Sequence, residues 1–338
     1  MLSIRRRDHD VKIRHLGYRA RGLAPTEKIR VFNMCNSVQV IQEEIRHLLR
    51  LKSAILLAHY YQRDEIQEIA DFLGDSLALS MSAAKTEADV IVFAGVHFMA
   101  ESAAILCPKK TVLLPRLEAG CPLADTITAE ELEAARKQYP DAAVVTYINS
   151  SAAVKAKSDI ICTSANAVRV VNSLKNAKRV LMVPDGNLAR YTARFTDREI
   201  IPWKGFCPVH HYVTPVEVKA VKARHPGAKF AAHPECTEEV LALADFIGST
   251  TGIIRYARET AAKEIIIGTE RGVMSQLRLQ NPGKTFILAS ERLWCETMRS
   301  ITLEDVRDAL EETKHVITVP AGIAAPAKKA LDRMLEIS

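Results

Sequence analysis

Short apolar runs recur along the chain, each closed by polar residues, and they come in the same order three times. Ile55-Leu56-Leu57-Ala58-His59, Val144-Val145-Thr146-Tyr147 and Phe230-Ala231-Ala232-His233 read as buried strands ending in a polar side chain; their last residues are 88 and 86 positions apart. An Asp-containing turn follows each (Ala70-Asp71, Ser158-Asp159, Ala244-Asp245). Next comes a hydroxyl cluster that opens a helix: Gly74-Asp75-Ser76, Thr163-Ser164-Ala165-Asn166, and Gly248-Ser249-Thr250-Thr251. A further strand ends at Phe93-Ala94-Gly95, Val183-Pro184-Asp185 and Ile267-Gly268-Thr269, and a last apolar run covers Val112 to Leu114, Ile200 to Ile201 and Phe286 to Leu288. Short runs without alternation belong to parallel sheets buried on both faces.

The last run leads in each copy to a cysteine, and Cys121, Cys207 and Cys295 are 86 and 88 residues apart. Seven residues on, a threonine opens another helix with an acid three positions later: Thr128/Glu131, Thr214/Glu217 and Thr302/Asp305. The first two are capping boxes and the third is the shorter Asp variant. A repeat of this length is too long for a solenoid and predicts small domains in tandem. The predicted fold is α/β: three pseudo-symmetric three-layer αβα domains, each with a short parallel sheet, around a centre where the cysteines meet. The boundaries read as a basic arm at 1–35 and repeats at 36–123, 124–209 and 210–295, with 296–338 packing on the first repeat.

Composition supports this and narrows the function. The chain has 338 residues, 48% hydrophobic but only 6% aromatic, which suits aliphatic α/β cores. Its formal charge of +6 is carried by residues 1–30, so the rest is neutral and the excess reads as a solvated tail rather than a nucleic-acid surface. No apolar stretch is long enough for a bilayer, and the start lacks the apolar core of a secretory signal. Seven cysteines, none closely paired, argue against a disulfide framework and for a reducing, cytoplasmic compartment. Cys107 and Cys162 read as core filler. Cys35 is expected in the connection before the first helix, and Cys236 is expected to line a pocket but not to be a ligand.

Structural zinc takes four protein ligands, mostly in close pairs, and this chain has no such pairs. Iron–sulfur clusters are held by cysteine thiolates, and three of them would leave a fourth iron open to act as a Lewis acid. The strand-end residues would surround it. His59 with Tyr61, Tyr147 with Asn149, and His233 with Glu235 fall at the carboxyl ends of parallel strands, where ligands gather. Ser76, Ser164, Ser249 and Thr250 sit at helix starts, where capping and anion binding are compatible. A small polyanionic substrate follows. Two rival readings compete with this. An iron–sulfur redox sensor without catalysis would need no such polar constellation, and a zinc hydrolase on His233-x-Glu235 would need a Pro-Cys-x-x-Cys that is absent.

Seven segments carry a resemblance: His59-Tyr60-Tyr61-Gln62, Gly74-Asp75-Ser76, Glu118-Ala119-Gly120-Cys121, Tyr147-Ile148-Asn149-Ser150, Thr163-Ser164-Ala165-Asn166, Gly205-Phe206-Cys207 and His233-Pro234-Glu235-Cys236. In this order, from residue 36 to 338, the chain resembles the quinolinate synthase family. The resemblance implies one 4Fe-4S cluster per chain, held by Cys121, Cys207 and Cys295. It implies an enzyme that condenses iminoaspartate with dihydroxyacetone phosphate, losing two waters and phosphate, to give quinolinate for NAD biosynthesis. Glu235 would be the general base or acid. Tyr61, Tyr147, His59 and His233 would position intermediates and move protons, while Asn149, Ser76, Ser164, Ser249 and Thr250 would hold carboxylates or phosphate. An imine-producing partner enzyme fits this chemistry, because free imines hydrolyse; nucleic acid and membrane are not expected partners. Some relatives have extra cysteines beside the third ligand, but here Arg292-Leu293-Trp294 precedes Cys295, and Thr297 stands before Met298 where the family often has Asn.

Overall fold

The computed structural model describes residues 25–337, with side chains from residue 37 on. Twelve short strands form three four-stranded parallel sheets. They are β1 (Ala54–His59), β2 (Phe72–Gly74), β3 (Val90–Ala94) and β4 (Thr111–Leu113) in the first; β5 (Ala142–Tyr147), β6 (Ile160–Cys162), β7 (Arg179–Val183) and β8 (Glu199–Pro202) in the second; and β9 (Lys229–Ala232), β10 (Phe246–Ile247), β11 (Glu264–Gly268) and β12 (Thr285–Leu288) in the third. The spatial orders β2-β1-β3-β4, β6-β5-β7-β8 and β10-β9-β11-β12 are the same, so the expected triplication and α/β class are present in full.

The repeated aspartate explains why the spacing persists. Asp71, Asp159 and Asp245 each accept the backbone N–H of the first strand of their sheet, from Leu56 at 2.8 Å, Val144 at 2.7 Å and Phe230 at 2.8 Å. The backbone N–H of each Asp returns to the carbonyl of that same strand residue, at 2.9, 3.1 and 2.8 Å. A two-way clasp of this kind sets the entry into the second strand.

All three expected capping boxes are formed, at Thr128/Glu131, Thr214/Glu217 and Thr302/Asp305. Each capped helix packs on the sheet that follows its cysteine. Leu132 and Ala135 join Val144, Leu181 and Val183, and Val218 and Val221 join Phe230, Ala232 and Ile266. The third helix (Leu303–Glu312) has no following sheet and packs on the first, where Leu303, Val306 and Leu310 meet Leu56, Ala58 and Val92. The chain thus closes into a ring. The final helix (Ala321–Ile337) goes elsewhere: Ala327, Ala330, Leu331 and Met334 pack with Ala103, Ile160 and Ala167, bridging the first and second lobes.

Two details differ from the sequence reading. The first helix runs from Pro25 to Leu51, so Cys35 lies within it rather than in a connection before it. Proline is pre-organised for a helix start, and the basic stretch hid that signal. The expected arm lies outside the described residues up to residue 24. Each first and second strand is also joined by a single helical turn, at Asp64–Gln67, Ala152–Lys155 and Glu238–Leu241.

Candidate active site and metal centre

The carboxyl ends of all three sheets line one cavity. Cys121, Cys207 and Cys295 all line it, one from each lobe. So do His59, Tyr61, Ser76, Tyr147, Asn149, Ser164, His233, Glu235 and Thr250. Ser249 does not. Its hydroxyl accepts the Gly252 N–H at 3.2 Å as the N-cap of helix Thr250–Glu259, which turns Thr250 rather than Ser249 toward the cavity. Cys236 is buried with its thiol on the Gly268 carbonyl, away from the lining, while Cys107 and Cys162 are buried core residues as expected.

Local backbone geometry sets the cysteine loops. Gly205 lets the loop before Cys207 pass against its neighbours, since a Cβ there would lie 2.2 Å from Thr126 Oγ1 and 2.5 Å from the Pro184 carbonyl. Asp185 and Glu270 stand two residues beyond β7 and β11, and their carboxyl oxygens accept the N–H of Cys207 at 3.2 Å and of Cys295 at 3.3 Å. Burial pushes the Glu270 carboxyl up to about 7. Burial also pushes the Cys121 thiol up to about 12, and the nearby Cys295 and Glu235 charges add to the shift. Cys207 is raised in the same way.

Three thiols raised in this way stay protonated unless a cation among them draws off their protons. A single tetrahedral ion would draw their sulfurs to about 3.8 Å of one another, given metal–sulfur bonds near 2.3 Å. Among the described residues, the one set of three such donor atoms within 4.8 Å of each other is Cys207, His210 and Glu235, not the three cysteines. The thiols are therefore spread more widely than one ion requires. One thiol from each lobe facing the same cavity is a donor set that suits a metal centre shared by the three lobes.

Glu235 is the centre of the polar network. Its Oε2 lies 2.8 Å from His210 Nδ1 and 3.2 Å from His233 Nδ1, and its Oε1 is buried without a hydrogen-bond partner among the described residues. Burial alone would raise this carboxyl, but the two imidazoles outweigh it and hold Glu235 below the ordinary carboxylate range. His233 Nε2 lies 3.2 Å from Ser164 Oγ, and Ser164 also hydrogen-bonds Tyr147. A second arm starts at His210. With Nδ1–H donating to Glu235, its Nε2 accepts from the Thr269 hydroxyl at 3.0 Å. Tyr61 then donates to Thr269 at 2.6 Å and receives from Thr250 at 2.8 Å.

Burial, together with the Glu235 charge, raises Tyr61 and Tyr147 well above the ordinary phenol value, so both remain protonated. Burial lowers His59 to about 4, against the pull of Asp75, so its ring is neutral. Its Nδ1 accepts the Tyr61 N–H at 3.2 Å, which leaves Nε2 as the proton-bearing nitrogen. Asn149 Oδ1 is buried without a partner among the described residues. Sequence reasoning missed His210, Thr269 and Glu270 as site members. His210 was visible only as part of Cys207-Pro208-Val209-His210, and Glu270 lies one residue past the strand end as it was read.

Comparison with known proteins agrees with this architecture. The family model described as "NadA: Quinolinate synthetase A protein" matches residues 43–336. The quinolinate synthase of Geobacter sp. (strain M21) is 54% identical over 299 residues, covering 88% of this chain and 98% of that one. Those of Geotalea uraniireducens (strain Rf4) and Methanosarcina barkeri (strain Fusaro / DSM 804) are 56% and 54% identical over 297 and 295 residues, covering 88% and 87% of this chain and 97% of each relative. With the fold, the three thiols and the strand-end residues already in hand, this similarity is decisive, and the chain belongs to the quinolinate synthase family.

Proposed function

We propose that quinolinate synthesis takes place in this cavity, on a 4Fe-4S cluster held by Cys121, Cys207 and Cys295, with Glu235 as the general base and acid. As a quinolinate synthase, the chain condenses iminoaspartate with dihydroxyacetone phosphate and releases two waters and phosphate. The observation that carries the residue roles is the free Oε1 of Glu235 in a cavity that all three thiols share. When bound, the cluster supplies an open iron, a Lewis acid suited to the loss of hydroxyl groups.

The remaining steps fall to side chains. Glu235, held anionic by His210 and His233, takes a proton on Oε1 and returns it to a leaving oxygen. Ser164–His233–Glu235 and Tyr61–Thr269–His210–Glu235 give that proton two hydrogen-bonded routes. Tyr61 and Tyr147 keep their phenol protons and stand at the outer ends of these two routes, Tyr61 on Thr269 and Tyr147 on Ser164. The Asn149 amide, the His59 Nε2–H, and Ser76 at the first position of helix Ser76–Lys85 bind carboxylate or phosphate oxygens.

Anaerobically purified protein is expected to contain about four irons per chain. Ala at Cys121, Cys207 or Cys295 should abolish the cluster, whereas Cys107→Ala and Cys162→Ala should keep it. Retention of full iron and sulfide in Cys121→Ala would remove that ligand from the assignment.

A further inference from the structure

Lys155 is wholly buried, and the chemistry above leaves it without a task. It closes the helical turn Ala152–Lys155 behind Tyr147 and Asn149. Its Nζ donates to the Ser150 carbonyl at 2.5 Å and to the Phe98 carbonyl at 3.4 Å, and it stands 5.1 Å from the Phe98 ring centre. Phe98 lines the cavity together with Cys121, so the ammonium sits directly behind the first lobe's wall. Burial lowers the amine to about 8, while the negative charges of Glu101 and Cys121 act in the other direction, and it stays cationic at neutral pH.

The other lobes show which part of this arrangement needs a charge. The residues equivalent to Lys155 are Gln67 and Leu241, the last of their own helical turns. Gln67 makes the same tie: its Nε2 donates to the Gln62 carbonyl at 2.9 Å and across to the Gly272 carbonyl of the third lobe at 3.0 Å. Gln62 is the counterpart of Ser150, and Gly272 that of Phe98, each four residues past the third strand of its sheet. At the third junction Leu241 is apolar, and the bond comes from the opposite side, where Asn187 Nδ2 donates to the Glu235 carbonyl at 2.9 Å. A neutral amide therefore suffices to join two lobes. The positive charge at Lys155 has to have another use.

The cysteine loops suggest that use. Asp185 and Glu270 back Cys207 and Cys295 through the cysteine N–H, but the equivalent position behind Cys121 is the buried Val96. Among the described residues no carboxyl accepts the Cys121 N–H, and on this side of the cavity the Lys155 ammonium stands behind Phe98. We propose that Lys155 is a fixed counter-charge to the metal centre at its Cys121 corner, stabilising the more electron-rich state and raising the reduction potential. The idea rests on the cluster reading above. Cluster potentials respond to net charge and hydrogen bonding in the surroundings, and a buried cation is screened little by solvent.

The test is a midpoint potential of the cluster in anaerobically purified holoenzyme, with iron and sulfide assayed on the same samples. Lys155→Gln, which installs the residue found at the equivalent site of the first lobe, should keep iron and sulfide and move the potential to more negative values. Glu101→Gln, which removes the opposing charge and can still accept the Ala152 N–H, should move it to more positive values. An unchanged potential in Lys155→Gln with a full cluster overturns the proposal. Should that variant fail to fold, Glu101→Gln decides by the same sign rule, and no shift there overturns it. Wild-type protein without iron or sulfide would instead sink the cluster reading itself.

Discussion

At the scale of single residues, the proposed function concentrates in one carboxylate whose two oxygens are differently engaged. Two imidazoles occupy Glu235 Oε2 and leave Oε1 facing the cavity unpartnered among the described residues. Glu235→Gln preserves size and removes the charge. It should keep the cluster and lower kcat by about 10²- to 10⁴-fold, and steady-state assays showing near-normal turnover would take Glu235 out of the chemistry. The sequence made most of these residues legible because each ends a strand of a triplicated sheet, where the repeat itself marks the position. It could not separate Ser249 from Thr250, since either hydroxyl could cap the helix and only the backbone decides which does. His210 escaped for a different reason. It sits in a cysteine loop with no histidine at the equivalent place in the other copies, so the repeat gave no signal for it.

At the scale of elements, the capped helices are the joints of the ring. Thr302 Oγ1 accepts the Asp305 N–H at 3.2 Å, and Asp305 Oδ2 accepts the Thr302 N–H at 2.8 Å. Asp305 also receives two hydrogen bonds of 3.1 Å from Arg116, in the segment leading to Cys121. The short acid in the third box is thus shared between a helix start and the first cysteine's approach. In the second box, Glu217 likewise reaches Ser290 at 2.8 Å, in the approach to Cys295. Thr302→Ala should cost about 1 kcal/mol of stability, as is typical for a lost N-cap, read as a lower urea midpoint with unchanged m-value. The capping boxes were plain in the sequence. The four-residue helical turns after the first strands were not, because a single turn is too short to show periodicity.

At the scale of the whole molecule, the ring is closed from the far end of the chain. Segment 296–338 is expected on the first repeat; helix Leu303–Glu312 packs there, and helix Ala321–Ile337 crosses from the first lobe to the second. Apolar patterning says that the last helix must pack, but not that it bridges two lobes. The proposed metal core, held by all three lobes, would add a further closure, since its binding free energy is gained only in the folded state. Stripping iron with a chelator should therefore lower the Tm of the wild-type protein while leaving that of Cys121→Ala unchanged, as scanning calorimetry under anaerobic conditions can show. Equal losses in both proteins would mean that the chelator acts elsewhere.

The near-threefold frame has a consequence for whatever it encloses. To a flat dianion, the scaffold offers three almost equivalent ways of lying down, each a third of a turn from the next. Only one of the three sheets ends in a histidine and a glutamate two residues apart, so a molecule bound in either of the other poses would present its acidic proton to an amide or a phenol instead. On the proposed reading, substrate orientation would be decided by the few places where the copies diverge.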